Sequence, residues 1–383
     1  MQGSRNVAVA SLAALVLACV AASAAAGQST KVPAACNGLQ FAHMGPLTGA
    51  AAVLGQEQLS WDRFGVAQFN RKHHTNFKLV EADDQLNAAQ GSTVAQSLVS
   101  DPKILAVVGP AGSQVVAVAG PLFKTADLAM VSSSATDGRL SDGAFPTFFR
   151  VNANNDSQAP VLYLLLYRHL KVKKVMIVDD QSPDKAELAN LVAQRLQKKG
   201  VTVDRESVRQ SDTDFSGLVG KVDPSTDAVL LSWQLATEGQ LFAQQMRAQG
   251  KKAIIVGANG LYSPTQFTPE GGYVTSFAPD VRYIKVARST IKAYEKATGI
   301  TNFGTYGPPA YLAGQVVMNA FWNVCSKGRK VTRANVVAAI RKTHMKMTVL
   351  GTPLVFAKNG NSKYATFYVF QVKNGKYVLA STK

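Results

Sequence analysis

Beyond Ala26 this 383-residue chain has no apolar run long enough to span a bilayer, no low-complexity segment and no short tandem repeat. It also lacks the compact catalytic signatures. There is no GxSxG, no HExxH, no paired-cysteine metal spacing and no Walker loop. The turn "GPLTGAAAVLG", Gly45 to Gly55, is glycine-rich, yet it has neither GxGxxG spacing nor the Lys-Ser/Thr pair that holds a diphosphate. His73 and His74 are adjacent rather than one helical turn apart and have no cysteine or acidic neighbours, so they read as a surface turn and not a metal site. These absences argue against an enzyme; neither a cofactor nor a metal is expected. Acidic residues are scarce as well, 24 against 41 basic ones, for a formal charge of +17. The basic residues are dispersed, often at the ends of helical stretches, with no Lys/Arg tract and no aromatic interleaving. A nucleic-acid partner is therefore not expected; a solvated basic surface is, one that also favours anionic membranes or steers an anionic ligand.

What is present begins with "MQGSRNVAVASLAALVLACVAASAAAGQS": one arginine, an apolar run and then small residues, the order of a secretory signal peptide over residues 1–26. Two processing routes stay open, beside a third reading as a retained membrane helix, for which the stretch is marginally long enough but Ala-rich rather than Leu/Ile-rich. "VLAC" resembles a lipoprotein box, which would lipidate Cys19 and tether the protein at the cell surface. Cleavage after Ala26 would release a periplasmic protein, and is favoured because the residues following Cys19 remain apolar. A form cleaved after Ala26 retains only Cys36 and Cys325, and two cysteines in an exported chain suggest one disulfide.

From Gly38 onward, short β-branched apolar runs alternate with amphipathic helical patterns, which predicts α/β architecture with parallel sheets covered by helices. A first set runs from "LQFAHMG" to "LAMVSSS"; after "RVNANNDSQ" the scheme restarts with "KKVMIVDD", "DAVLLSW" and "KAIIVGA". Such length suits two lobes. Asp156 is placed to cap a helix beginning near Ala159, and Asn374-Gly375 between apolar runs predicts a terminal hairpin.

The segments "GPLTGAAAVLGQ", "EADDQLNAAQGSTVAQSLVSDPKILAVVGPAGS", "MVSSSAT", "FRVNANNDSQAP", "VMIVDDQS" and "DTDFSGL", with the late "LGTPLVFAKNGNSKYATFYVFQV", follow one another in a specific order. That order resembles the branched-chain amino acid type of periplasmic substrate-binding proteins, the receptors of ABC importers, from about Gly38 to Lys376. The resemblance implies the type I periplasmic binding protein fold: two doubly wound parallel-sheet lobes joined by three crossovers, with ligand held in the cleft between them. Lobe 1 would comprise 37–153 plus 278–350, and lobe 2 would comprise 154–277 plus 351–383. It further implies a monomer with two partners, a small-molecule ligand and a membrane-embedded ABC permease. A sensory ligand-binding module of the same fold, for an amide or amino acid, is the alternative.

Carried onto this chain, the resemblance makes Ser113 in "PAGS" a hydroxyl and amide donor to a ligand carboxylate. In "SSSAT" it makes Ser134 and Ala135 backbone contacts and Thr136 a hydroxyl contact. Leu54 falls where relatives place a gate side chain, often an aromatic. Lobe 2 departs from the amino acid pattern. Where branched-chain receptors carry a ligand-facing tyrosine after "VDDQ", this chain has Ser182 or Pro183. In "LLSWQLATEGQ" the second tyrosine position falls at Gln234 or Leu235, with Trp233 adjacent as a stacking face. The acidic residue that would hold an α-ammonium falls at Asn259, and Asp180 or Glu238 would have to compensate. A buried ammonium needs a charged partner, which argues against an amino acid itself; the expected ligand is a small amino-acid-like solute bearing a carboxylate or an amide.

Overall fold

A computed structural model describes residues 32–380. The signal peptide and Cys19 lie outside the described residues. Five strands form the first sheet: β1 (Gln40–Gly45), β2 (Lys78–Asp83), β3 (Ile104–Val108), β4 (Ala129–Ser132) and β5 (Phe148–Arg150). They are all parallel, in the order β2-β1-β3-β4-β5. Connecting helices are α1 (Ala52–His73), α2 (Ala88–Ser100) and α3 (Ser113–Thr125).

The chain then builds a second sheet from β6 (Lys174–Asp179), β7 (Thr202–Ser207), β8 (Ala228–Ser232), β9 (Ile254–Gly257) and β10 (Tyr273–Ser276). Helices α4 (Asn155–Tyr163), α5 (Pro183–Gln197), α6 (Ser216–Gly220) and α7 (Ala236–Ala248) cover it. After β10 the chain returns to the first sheet with α8 (Arg288–Thr298), α9 (Gly307–Cys325) and α10 (Arg333–Arg341). A small ribbon, β11 (His344–Met345) with β12 (Leu354–Val355), precedes the hairpin of β13 (Tyr368–Lys373) and β14 (Lys376–Leu379). That hairpin extends the second sheet antiparallel to β10, giving β14-β13-β10-β9-β8-β6-β7.

Burial explains the sequence pattern. Central β8 is buried along its whole length, as a parallel strand covered on both faces must be, whereas the edge strand β7 is half-exposed. Separate apolar cores lie on the two faces of the second sheet, one under α4 and α5 and the other under α6 and α7. The hairpin forms where Asn374-Gly375 predicts it. Both residues take positive φ, 53° and 69°, and the Glu270 carboxylate accepts both of their amide hydrogens at 2.9 and 3.0 Å.

Asp156 does not cap a helix at Ala159. The helix begins four residues earlier, because the Asn155 amide is fixed to the Thr136 carbonyl at 2.8 Å, and Asn154 takes the cap position. Asp156 sits in the first turn and accepts from Asn154 Nδ2 at 2.8 Å. Histidine 73 is sandwiched between Phe69 and Trp322, with ring centroids 4.3 and 4.6 Å away, while His74 ends α1 in the left-handed conformation. Cys36, in a short turn before β1, is disulfide-bonded to Cys325 at the end of α9.

The chain passes between the sheets three times: after β5, after β10 and before β13. The passages meet, since Val151, Phe277, Pro279, Leu350 and Pro353 line one small cavity.

Candidate functional site

In open α/β sheets the free space lies beyond the carboxyl ends of strands, where neighbouring connections run to opposite faces. Here that place falls between β1 and β3 in the first sheet and between β6 and β8 in the second. The loops after these strands face each other across a cleft.

Leu54 reaches the cleft because the loop after β1 folds tightly onto the first turn of α1. At Gly55 a Cβ would lie 2.0 Å from the Pro46 carbonyl oxygen, so no larger residue fits. Ser113 opens α3, and its Oγ accepts from the amides of Thr136 and Asp137 at 3.1 and 3.2 Å, locking the β3 and β4 loops together. Ser134 Oγ donates to the Ala111 carbonyl and accepts from Gln58 Nε2, at 2.9 and 3.0 Å. From the second sheet, Gln234 precedes α7. Asn259 starts a turn whose Gly260 packs so closely that a Cβ would sit 2.2 Å from the Trp233 carbonyl oxygen.

Five residues singled out in the sequence, Leu54, Ser113, Ser134, Gln234 and Asn259, thus line one inner cavity. Thr136 stands at its edge, and its Oγ1 donates across the cleft to Asp184 Oδ2 at 3.3 Å.

Three others are placed differently. Ala135 commits its backbone to its own half: its amide donates to Ser132 Oγ at 3.1 Å, and its carbonyl accepts from Arg150 and Asn152 at 3.2 and 3.0 Å. Ser182 lines a lateral hollow beside Pro183 and Arg209 and donates to Asp180 Oδ1 at 2.5 Å. Trp233 offers no stacking face to the cleft. Its indole is 1% exposed and packs against Phe215 and Phe242 in the core, because the chain turns it beneath the sheet just after β8 ends.

The inner cavity also contains groups that sequence reasoning passed over. Asp184 and Lys185, in the first turn of α5, are each 2% exposed. Lys185 Nζ lies 2.8 Å from Asp184 Oδ2 and donates to Asn259 Oδ1 at 3.1 Å. Tyr306, just before α9, donates its hydroxyl to the Asn259 carbonyl at 3.0 Å, and burial pushes its phenol up. The one sequence signal was the charged pair in "SPDK", immediately after the departed tyrosine position.

Neither compensating acid is free. Asp180 Oδ1 accepts from Ser182 N and Oγ, and Oδ2 from Gln210 Nε2 and Gln234 N at 3.1 and 2.6 Å; burial pushes its carboxyl up, against those bonds. Glu238 accepts from neighbouring Thr237 at 2.6 Å and lines neither the inner cavity nor the outer chamber.

Outward from the inner cavity, and sharing Leu54, Gln234, Gly260 and Tyr306 with it, opens a chamber of ≈ 280 Å³. Its wall is largely apolar, with Val53, Leu235, Pro264, Ile300 and Phe303, and one acid, Glu57. Glu57 accepts the amides of Gly304, Tyr306 and Gly307 at 2.8, 3.0 and 2.7 Å; burial pushes its carboxyl up, and those three bonds oppose the shift.

Hydrogen bonds also close the cleft at its flanks. Gln114 and Gln234 exchange two amide hydrogen bonds at 3.1 and 3.2 Å, and the Gly138 amide donates to Glu187 Oε2 at 3.2 Å. The arrangement holds no nucleophile with a poised base, and among the described residues no group of three or more metal-ligating side chains occurs. What it presents is a polar floor, an apolar mouth and two halves joined by a few reversible contacts.

A family model described as "Periplasmic binding protein" matches residues 38–376. An amino acid binding protein of Pseudomonas aeruginosa is 28% identical over 344 residues, covering 87% of this chain and 90% of that protein. The fold matches a leucine binding protein from Thermotoga maritima with TM-score 0.79 at 21% identity, covering 90% and 98% of the two chains. It also matches a solute binding protein of an ABC transporter from R. palustris, in complex with benzoate, with TM-score 0.77 at 16% identity, covering 90% and 96%.

Proposed function

The chain belongs to the Periplasmic binding protein family, and from that premise we propose that it is the extracytoplasmic receptor of an ABC importer. It captures a small carboxylate- or amide-bearing solute between two closing lobes and presents it to a membrane permease. It is a binding protein, not an enzyme.

The observation that carries this reading is the convergence of loops from both sheets on one cleft, where Leu54, Ser113 and Ser134 face Gln234 and Asn259. Closure requires that the two halves move about the three chain passages, with segments 37–153 plus 278–350 moving against 154–277 plus 351–383. The bonds across the cleft are few: the neutral ones, the Gln114–Gln234 pair and Tyr306 to the Asn259 carbonyl, are each worth about 0.5–1.5 kcal/mol net, and the others reach Asp184, Glu187 or Arg139. A ligand touching both sides is then enough to shift the population from open to closed. Lobe 1 contributes Ser113, Ser134 and Thr136; lobe 2 closes with Gln234 and Asn259, while Ser182 shapes the lateral rim.

The relatives include proteins described as binding amino acids and a structural neighbour holding benzoate, which brackets the solute class. The test is a thermal-shift screen of the processed protein against amino acids, aromatic and aliphatic carboxylates, short amides and urea. At least one should raise the melting temperature in a concentration-dependent way, and Ser113→Ala should weaken it. A screen in which none does so refutes the receptor reading.

A further inference from the structure

The reading of the cleft as a ligand site can be taken further, because the charges in it are countable. We propose that Lys185 sets the ligand's charge: the cleft takes a monocarboxylate with an apolar body and no ammonium group. The carboxylate meets the Lys185 ammonium at the inner cavity, and the apolar part lies in the outer chamber.

Cations come first. Lys185 is 2% exposed yet lines the inner cavity, and its Nζ has two partners, Asp184 Oδ2 and Asn259 Oδ1. An ammonium has three hydrogens to donate, so one remains for a ligand acceptor. A second ammonium, brought in by a ligand, would sit beside this one with solvent largely excluded, where like charges repel strongly.

The acids offer no relief. Asp184 Oδ2 is held by Lys185 and Thr136, and its Oδ1 accepts from Gln234 Nε2 at 2.8 Å. Glu57 is wrapped by three backbone amides, and both oxygens of Asp180 are bonded within its own half. Each of these three carboxylates is therefore engaged with the protein itself, and Glu187 at the flank accepts from the Gly138 amide and Asn155 Nδ2. A ligand ammonium would have to take an oxygen from one of these donors, leaving a buried amide or Lys185 without its partner.

A carboxylate faces the opposite situation. It finds the remaining hydrogen of Lys185, and α3 and α5 both start at the cleft, which places the positive ends of two helices toward it. Beyond that, Val53, Leu54, Ile300 and Phe303 offer apolar contact and no charge. A short-chain fatty acid or an aromatic acid fits this pairing of one cation with an apolar chamber.

The experiment is isothermal calorimetry on the processed protein with octanoate, benzoate, octanamide, benzamide and leucine. Octanoate or benzoate should bind, the matching amide at least 10-fold more weakly, and leucine without measurable heat. In the double variant Asp184→Asn/Lys185→Met, which leaves no unpaired buried charge, carboxylate affinity should fall by 10-fold or more and the preference for acid over amide should vanish. A merely structural role for Lys185 would weaken acid and amide alike. Amides binding as tightly as acids to the unmodified protein would overturn the proposal without any mutation. Leucine binding with micromolar affinity would also overturn it, while leaving the receptor function intact. Silence from every probe would count against both.

Discussion

The amide pair across the cleft gives the mechanism a measurable lever. Gln114, the second residue of α3, donates to Gln234 Oε1 at 3.1 Å and accepts from Gln234 Nε2 at 3.2 Å. In Gln114→Ala both bonds are lost, yet Gln234 keeps its own partners: its Oε1 still accepts from Gln210 and its Nε2 still donates to Asp184, each at 2.8 Å. Alanine also suits a helix, so α3 should persist. The variant also loses the bond from Gln114 Nε2 to the Leu86 carbonyl at 3.0 Å, but that bond lies within one half and weighs on open and closed forms alike, so the change in their ratio comes from the Gln234 pair. Two neutral, half-buried hydrogen bonds are worth about 1–3 kcal/mol together, which is about 5- to 150-fold in the ratio of closed to open protein. Apparent affinity for the best-binding carboxylate should weaken by up to that factor, mainly through faster dissociation. Calorimetry gives the affinity, stopped-flow the dissociation rate, and small-angle scattering of the ligand-free protein the shift toward a more open shape. Wild-type affinity and dissociation rate in a folded Gln114→Ala protein would refute the claim that this seam forms on closure.

Two further outcomes follow from the fold. The Cys36–Cys325 bond spans a sequence separation of 289. Loop-closure entropy therefore assigns it no more than about 6 kcal/mol, and the double serine variant should melt several degrees lower, an effect reproduced by reductant on the native protein; an unchanged melting temperature in both would contradict this. Asp84, fully buried after β2, has its carboxyl pushed up to about 7 by burial, against the Leu86 amide that bonds it. The folded protein thus holds this proton more tightly than the unfolded chain does. The group's contribution is complete below about pH 4 and is lost as pH rises through about 7, by at most about 4 kcal/mol. Asp84→Asn cannot titrate, so it should gain stability relative to wild type between pH 4 and pH 8 in thermal unfolding; parallel pH curves would contradict this.

Much of the fold was legible because it rests on local pattern. Apolar runs such as "ILAVVGP" and "DAVLLSW" are buried parallel strands, and Asn374-Gly375 selects its turn by backbone preference. The order of motifs assigns Leu54, Ser113, Ser134, Gln234 and Asn259 to connections that follow strands, and the topology brings those connections around one cavity. Trp233 was not legible, because the strand ends at Ser232 and alternation no longer says which way the next side chain turns. Lys185 was missed for a related reason. In "SPDKAELANLV" it reads as one polar residue of an amphipathic helix, and only the approach of Asn259, 74 positions later in the chain, makes it a buried cation in the cleft. Asp156 misled because the helix start is set by a bond to Thr136, a loop in the other half of the molecule.

The most direct test of the cleft and its charge is a crystal structure of the processed protein grown with octanoate. The carboxylate is expected within hydrogen-bonding distance of Lys185 Nζ, between the Ser113 and Asn259 loops, with the alkyl chain running past Leu54 toward Phe303. Octanoate bound outside the cleft, or Lys185 turned away from it with Asp184 exposed to the ligand, would contradict this.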